Sequence, residues 1–121
     1  QVWHTTQQRE REAELLFIGN QFRLAFESYQ RMSPELAPRQ PRTLDELLED
    51  KRFPAPQHHL RKLYRDPMSG RADWGLIKAG DRIVAVHSLS ATQPLKTFFA
   101  ADEAEFSNAI SYSQWVFGAK P

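Results

Sequence analysis

The stretch that decides the fold is Leu15-Leu16-Phe17-Ile18-Gly19-Asn20-Gln21-Phe22-Arg23-Leu24-Ala25-Phe26-Glu27-Ser28-Tyr29-Gln30-Arg31-Met32. At 3.6 residues per turn, Leu15, Ile18, Phe22, Ala25, Phe26, Tyr29 and Met32 fall within roughly a 100° arc, the pattern of a helix packed on a core along one side. Residues 1–32 contain no proline and one glycine, Gly19, so the same helix extends back to the start of the chain. Pro34, Pro38 and Pro41 forbid its continuation and mark residues 33–42 as a loop. A helix of about 30 residues is about 45 Å long, whereas a compact domain of this size measures roughly 35 Å across. The helix is therefore expected to protrude. Arg11 lies on the line of the core stripe, so the domain is expected to pack from about Leu15 onward, with residues 1–12 standing free.

Outward from the helix, Thr43 and Glu46 have the spacing of a capping box and predict a short helix over Leu44 to Asp50. Phe53-Pro54-Ala55-Pro56-Gln57 is a second break, followed by one or two helical turns between His58 and Tyr64 that end at Asp66-Pro67. Ser69-Gly70 and Gly80-Asp81 are turn signals around Asp73-Trp74-Gly75-Leu76-Ile77-Lys78. With the β-branched run Arg82 to His87, this segment predicts a hairpin turning tightly at Ala79-Gly80. Gln114 to Phe117 predicts a third strand, after an irregular stretch from Ser88 to about residue 103. The fold class is α+β: a long N-terminal helix on a small antiparallel sheet. One domain covers 1–121, with the long helix in 1–32, loop and short helices in 33–70, and the sheet and C-terminal region in 71–121.

Composition narrows the function. The 121 residues carry 16 Lys+Arg against 15 Asp+Glu, a net charge of +1, so no global field recruits nucleic acid. No cysteine is present, which excludes disulfides, thiolate metal sites and Cys nucleophiles. The adjacent His58 and His59 point to different sides of any regular element and read as an exposed basic turn, not a chelate. Ser88, Ser90, His87 and Asp81 supply the residue types of a hydrolase triad, but no Gly-x-Ser-x-Gly elbow accompanies them. Asp102, Glu103 and Glu105 form an acidic loop without the alternating spacing of a calcium site. Lys51 to Arg65 holds five basic residues and no acidic one, and reads as a solvated basic face. Phe53 and Tyr64 only flank that run, so it lacks the interleaved stacking residues of a nucleic-acid groove. Trp74, Trp115 and Tyr112 are read as core or sheet-face residues. No metal, cofactor or catalytic residue is expected, and the chain is read as non-enzymatic.

One surface feature remains. Ala13, Phe17 and Leu24 share the side of the long helix opposite the core stripe, and read either as scattered exposed apolar residues of the ordinary kind or as a contact strip for neighbouring copies. Arg9, Arg11, Phe17 and Leu24 are the expected subunit-contact residues, while Leu15, Ile18, Phe22, Phe26, Tyr29 and Trp74 are the expected structural core.

The whole pattern resembles the pseudopilins of bacterial type II secretion, within the type IV pilin-like group. The resemblance is carried by Gln8-Arg9-Glu10-Arg11-Glu12-Ala13-Glu14, by Arg42-Thr43-Leu44-Asp45-Glu46-Leu47-Leu48, and by Leu60-Arg61-Lys62-Leu63-Tyr64-Arg65-Asp66-Pro67-Met68. Asp73-Trp74-Gly75-Leu76-Ile77 and Val86-His87-Ser88-Leu89-Ser90 complete it. It implies a periplasmic structural subunit of a pseudopilus or type IV pilus-like filament that drives protein export. It also implies an apolar N-terminal segment ahead of Gln1 that anchors the chain in the inner membrane, the present piece itself being soluble. The implied partners are other copies, other pseudopilins, an inner-membrane assembly platform and the membrane, with no nucleic acid. The family's major member holds calcium in an Asp-rich loop after the second strand; Ser88 to Pro94 has no carboxylate, so none is expected here. A soluble adaptor binding one partner through the long helix is the alternative reading, and a small enzyme or ligand-binding domain a further one.

Overall fold

The computed structural model describes residues 2–36, 38–95 and 109–119, residues 2–6 by their backbone alone. Helix α1 spans Val2–Arg31 and α2 spans Asp45–Leu48. Strands β1 (Gly75–Ala79), β2 (Arg82–His87) and β3 (Val116–Gly118) form one antiparallel sheet in the order β1-β2-β3. The architecture is α+β, with α1 lying against β2 and β3. Among the described residues no helix is long and apolar enough to cross a membrane.

The core stripe of α1 buries Leu15, Ile18, Phe22, Ala25, Phe26 and Tyr29. Met32 falls one residue past the helix end and is exposed, because the chain turns away there. From the sheet come Ile83, Val86 and Phe117, joined by Leu47, Leu60, Tyr112 and Trp115. Gly19 lets the two layers meet: a methyl group there would overlap the Phe117 ring, so the missing side chain sets how close β3 approaches α1. Trp74 enters the same core edge-on to Phe22, with ring centroids 5.0 Å apart, and its Nε1 donates to the Tyr64 carbonyl at 2.9 Å. Its bulk is apolar and its one polar atom is satisfied, which is what burial of an indole requires.

The hairpin turns at Gly80-Asp81, one residue later than the sequence suggests, because Ala79 still pairs with Arg82. Gly80 takes φ +66, a conformation that a side chain would strain. β1 is the sheet edge, with Leu76 and Ile77 partly exposed.

Three local expectations are corrected. The predicted helix from Leu44 to Asp50 is only Asp45–Leu48. Its capping box forms by the carboxylate half: Glu46 Oε2 accepts from the backbone N–H groups of Arg42 and Thr43 at 2.8 and 3.1 Å. His58 to Tyr64 is not helical, because the N–H groups of His59 and Leu60 both turn back to the Leu47 carbonyl. The start of α1 does not stand free through residue 12. Arg11 is exposed, but Glu12, about 100° further round the helix, is buried beneath the C-terminal region. Gln8 Nε2 donates to the Gln93 carbonyl at 2.9 Å and to Tyr112 Oη at 3.0 Å. Gln8 lies seven residues before Leu15 and so on nearly the same side of the helix, and packing reaches two turns further than the apolar stripe.

Candidate functional site

Two regions have features that packing alone does not demand. The first is the outer side of α1. Ala13, Phe17 and Leu24 face away from the sheet, with Phe17 58% and Leu24 46% exposed. Arg9 and Arg11 are exposed on the preceding turns. Phe17 is the notable member, since a phenylalanine left mostly in water contributes nothing to its own core.

The second region lies where α1 ends against the segment after α2. Asp50 is almost wholly buried, at 1% exposure, and its carboxylate is fully engaged. Arg52 donates to it twice from the side chain, Nε to Oδ1 at 2.8 Å and Nη2 to Oδ2 at 2.7 Å, and once from its backbone N–H at 3.1 Å. His59 Nε2 meets Oδ2 at 2.9 Å. Burial pushes the Asp50 carboxyl up, but the Arg52 and His59 hydrogen bonds outweigh it and hold the group at about 2. In return the Asp50 hydrogen bond pushes the Arg52 pKa up from its ordinary value.

Arg52 also closes the end of α1. Its Nη2 reaches the Tyr29 carbonyl at 3.3 Å, one of the last four of the helix, which have no partner within it. The guanidinium lies 3.8 Å from the centre of the Tyr29 ring, and Nη1 donates to Ser33 Oγ at 2.7 Å. Tyr29 Oη donates to Glu46 Oε1 at 3.1 Å, tying α1 to α2. Burial first, and then the Glu46 charge, push this phenol up to about 12. A groove of about 420 Å³ opens beside the cluster, lined by Asp45, Glu46, Glu49, Asp50, Lys51 and Arg52.

His59 occupies the middle. Its side chain is 1% exposed, and its ring packs edge-on to Tyr29 with centroids 5.4 Å apart. Nδ1 lies 2.7 Å from Ser28 Oγ on α1. No family model, no curated protein and no solved structure matches this chain. The chemistry of these side chains therefore has to be argued from their geometry.

Two sequence expectations are revised here, for His59 and for the basic run. His59 does not belong to an exposed basic turn; only His58 is exposed, with Nδ1 2.7 Å from the Leu48 carbonyl oxygen. The basic run from Lys51 to Arg65 is not uniformly solvated, because Arg52 is drawn inward by Asp50, while Arg61, Lys62 and Arg65 stay exposed. Ser88, Ser90, His87 and Asp81 are not brought together as a triad. The Ser88 hydroxyl donates to buried Asp66 at 2.6 Å, His87 Nδ1 lies 2.8 Å from the Ser88 carbonyl oxygen, and Asp81 pairs with Arg42 on the surface. The acidic stretch Asp102, Glu103 and Glu105 lies outside the described residues. Sequence reading missed Ser28 and Asp50. The one available signal was Asp50 followed by Arg52, an acid–base pair two residues apart before the Pro54-Ala55-Pro56 break.

Proposed function

We propose that this chain is a structural, non-enzymatic subunit of a type II secretion pseudopilus or a type IV pilus-like filament, polymerising through α1 to drive protein export. One observation supports the reading above others: α1 buries a continuous core on one side while presenting Phe17 and Leu24 to solvent on the other. A helix apolar on two opposed sides can serve its own sheet and a neighbouring copy at once. Contact of that strip with a different surface of the next copy is head-to-tail, and repeated head-to-tail contact produces a filament, not a closed dimer. In this proposal Arg9 and Arg11 set the register between copies. The partners are other copies, related subunits and an inner-membrane platform. An apolar N-terminal segment anchors the chain, and the described region works in the periplasm.

The chain has no cysteine, so the strip can be tested by cross-linking. The double variant Phe17→Cys/Leu24→Cys, expressed in the native cell and oxidised, is expected to give a ladder of disulfide-linked oligomers, position 17 of one copy joined to position 24 of the next. Monomer alone, from protein that remains folded, overturns the contact strip. Sequencing the mature N-terminus tests the anchor: about 20 apolar residues with an early glutamate are expected ahead of Gln1. A polar segment there replaces the filament with an adaptor that binds one partner.

A further inference from the structure

Polymerisation makes no use of the Ser28–His59–Asp50 array, and its geometry has a chemical consequence. Asp50 is held ionised by Arg52 and is therefore an acceptor only, so His59 Nε2 must carry the hydrogen it shares with Asp50 Oδ2. In the neutral imidazole the lone pair then sits on Nδ1, 2.7 Å from Ser28 Oγ. The Ser28 hydroxyl has one proton to give. Its other neighbour, Met32 Sδ at 4.0 Å, is a much weaker acceptor, so the proton points at His59. A serine hydroxyl aimed at an imidazole nitrogen, with a fixed carboxylate behind that imidazole, is the arrangement that activates serine for nucleophilic attack. Ser28 itself is only partly buried, while His59 and Asp50 are shut away from water.

We propose that Ser28 is a nucleophilic serine that accepts acyl groups from activated esters, with His59 as its base and Asp50 as the group that orients and stabilises the imidazolium. Ser28 Oγ bonds to the ester carbonyl carbon while its proton passes to His59 Nδ1. The C–O bond to the leaving alcohol then breaks, and that alcohol takes the proton from His59, leaving an O-acyl serine and a free alcohol. A fluorophosphonate reacts in the same way: the Oγ–P bond forms, the P–F bond breaks, and the Ser28 proton leaves with fluoride. Ser28 lies in the last turn of α1, where the neighbouring N–H groups serve the helix and none is free to hold an oxyanion. Loss of a single oxyanion donor costs about 10²–10³ in rate. The expected behaviour is accordingly a single, persistent modification of Ser28 and not repeated hydrolysis.

The test uses the folded full chain and an alkyl fluorophosphonate, read by intact mass and peptide mapping. One adduct per chain is expected, on Ser28, absent from Ser28→Ala and formed about 10²-fold or more slowly in His59→Gln. Circular dichroism checks that each variant is folded. No adduct on folded wild-type protein, or an adduct at another residue that survives Ser28→Ala, overturns the proposal. Equal labelling of Ser28 in wild type and folded His59→Gln overturns the role of His59. Should His59→Gln fail to fold, heat-unfolded wild-type protein provides the comparison, and labelling of Ser28 there at the native rate overturns activation by the fold.

Discussion

Tyr112 donates a hydrogen bond to Glu12, 100 residues earlier, at 2.8 Å, and this contact joins the C-terminal region to the early turns of α1. The same carboxylate oxygen accepts from the Leu95 N–H at 2.7 Å. The irregular stretch that ends at Leu95 and the 3-10 turn Tyr112–Gln114 are thus positioned by one buried glutamate. Tyr112→Phe keeps the ring in its edge-on contact with Trp115, 5.1 Å between centroids, and removes only the hydroxyl. A hydrogen bond to a charged acceptor contributes about 1.5–3 kcal/mol. Urea denaturation is expected to show a loss of that size with an unchanged slope; an unchanged midpoint would remove Glu12 as the anchor.

Alkaline pH should loosen both ends of α1. Burial, more than any neighbour, pushes Tyr112 up to about 12, with Gln8 opposing and Glu12 adding; Tyr29 also rises to about 12. An acid whose folded pKa is raised contributes stability that is complete below its unfolded value of 10 and lost as pH rises toward 12. Absorbance at the tyrosinate band is expected to show two tyrosines ionising late, together with unfolding. Both ionising near 10 in still-folded protein contradicts their burial.

At the acid end the sign reverses. Asp50 sits at about 2 against an ordinary 3.8, so its contribution is present above 3.8 and disappears as pH falls through 2. The shift corresponds to roughly 2 kcal/mol. Asp50→Asn should flatten the fall in thermal midpoint between pH 4 and pH 2 relative to wild type. Parallel curves would mean that the Arg52 pair does not stabilise the fold.

Trp74 is 7% exposed and packs on Phe22. Trp74→Ala leaves a large cavity and an unpartnered Tyr64 carbonyl, at an expected cost of about 3–5 kcal/mol. A native-like denaturation midpoint in this variant would reject its place in the core.

Phe17, on the far side of the same helix, should behave in the opposite way. Phe17→Asp is expected to abolish filament formation while the isolated chain keeps its wild-type melting temperature. Normal filament yield would sink the contact strip, and a fall of many degrees would show that Phe17 supports the fold itself.

These cases separate the local from the long-range. The burial of Leu15, Ile18, Phe22 and Tyr29 follows from helical period, a property of neighbours along the chain, and the prolines after Met32 end the helix wherever its partners lie. The hairpin was legible in the same way, from Gly80-Asp81 between two apolar runs, because a tight turn is set by a few consecutive residues. The burial of Glu12 was not. A glutamate next to Arg11 in a charged run reads as solvated until a tyrosine 100 residues away folds over it. Nor was the Ser28–His59–Asp50 array, whose members come from α1 and from the turn after α2. Ser28 and His59 are 31 residues apart and share no periodicity. Whether a polar side chain is buried depends on which distant segment covers it and offers a partner, and only the packed chain settles that.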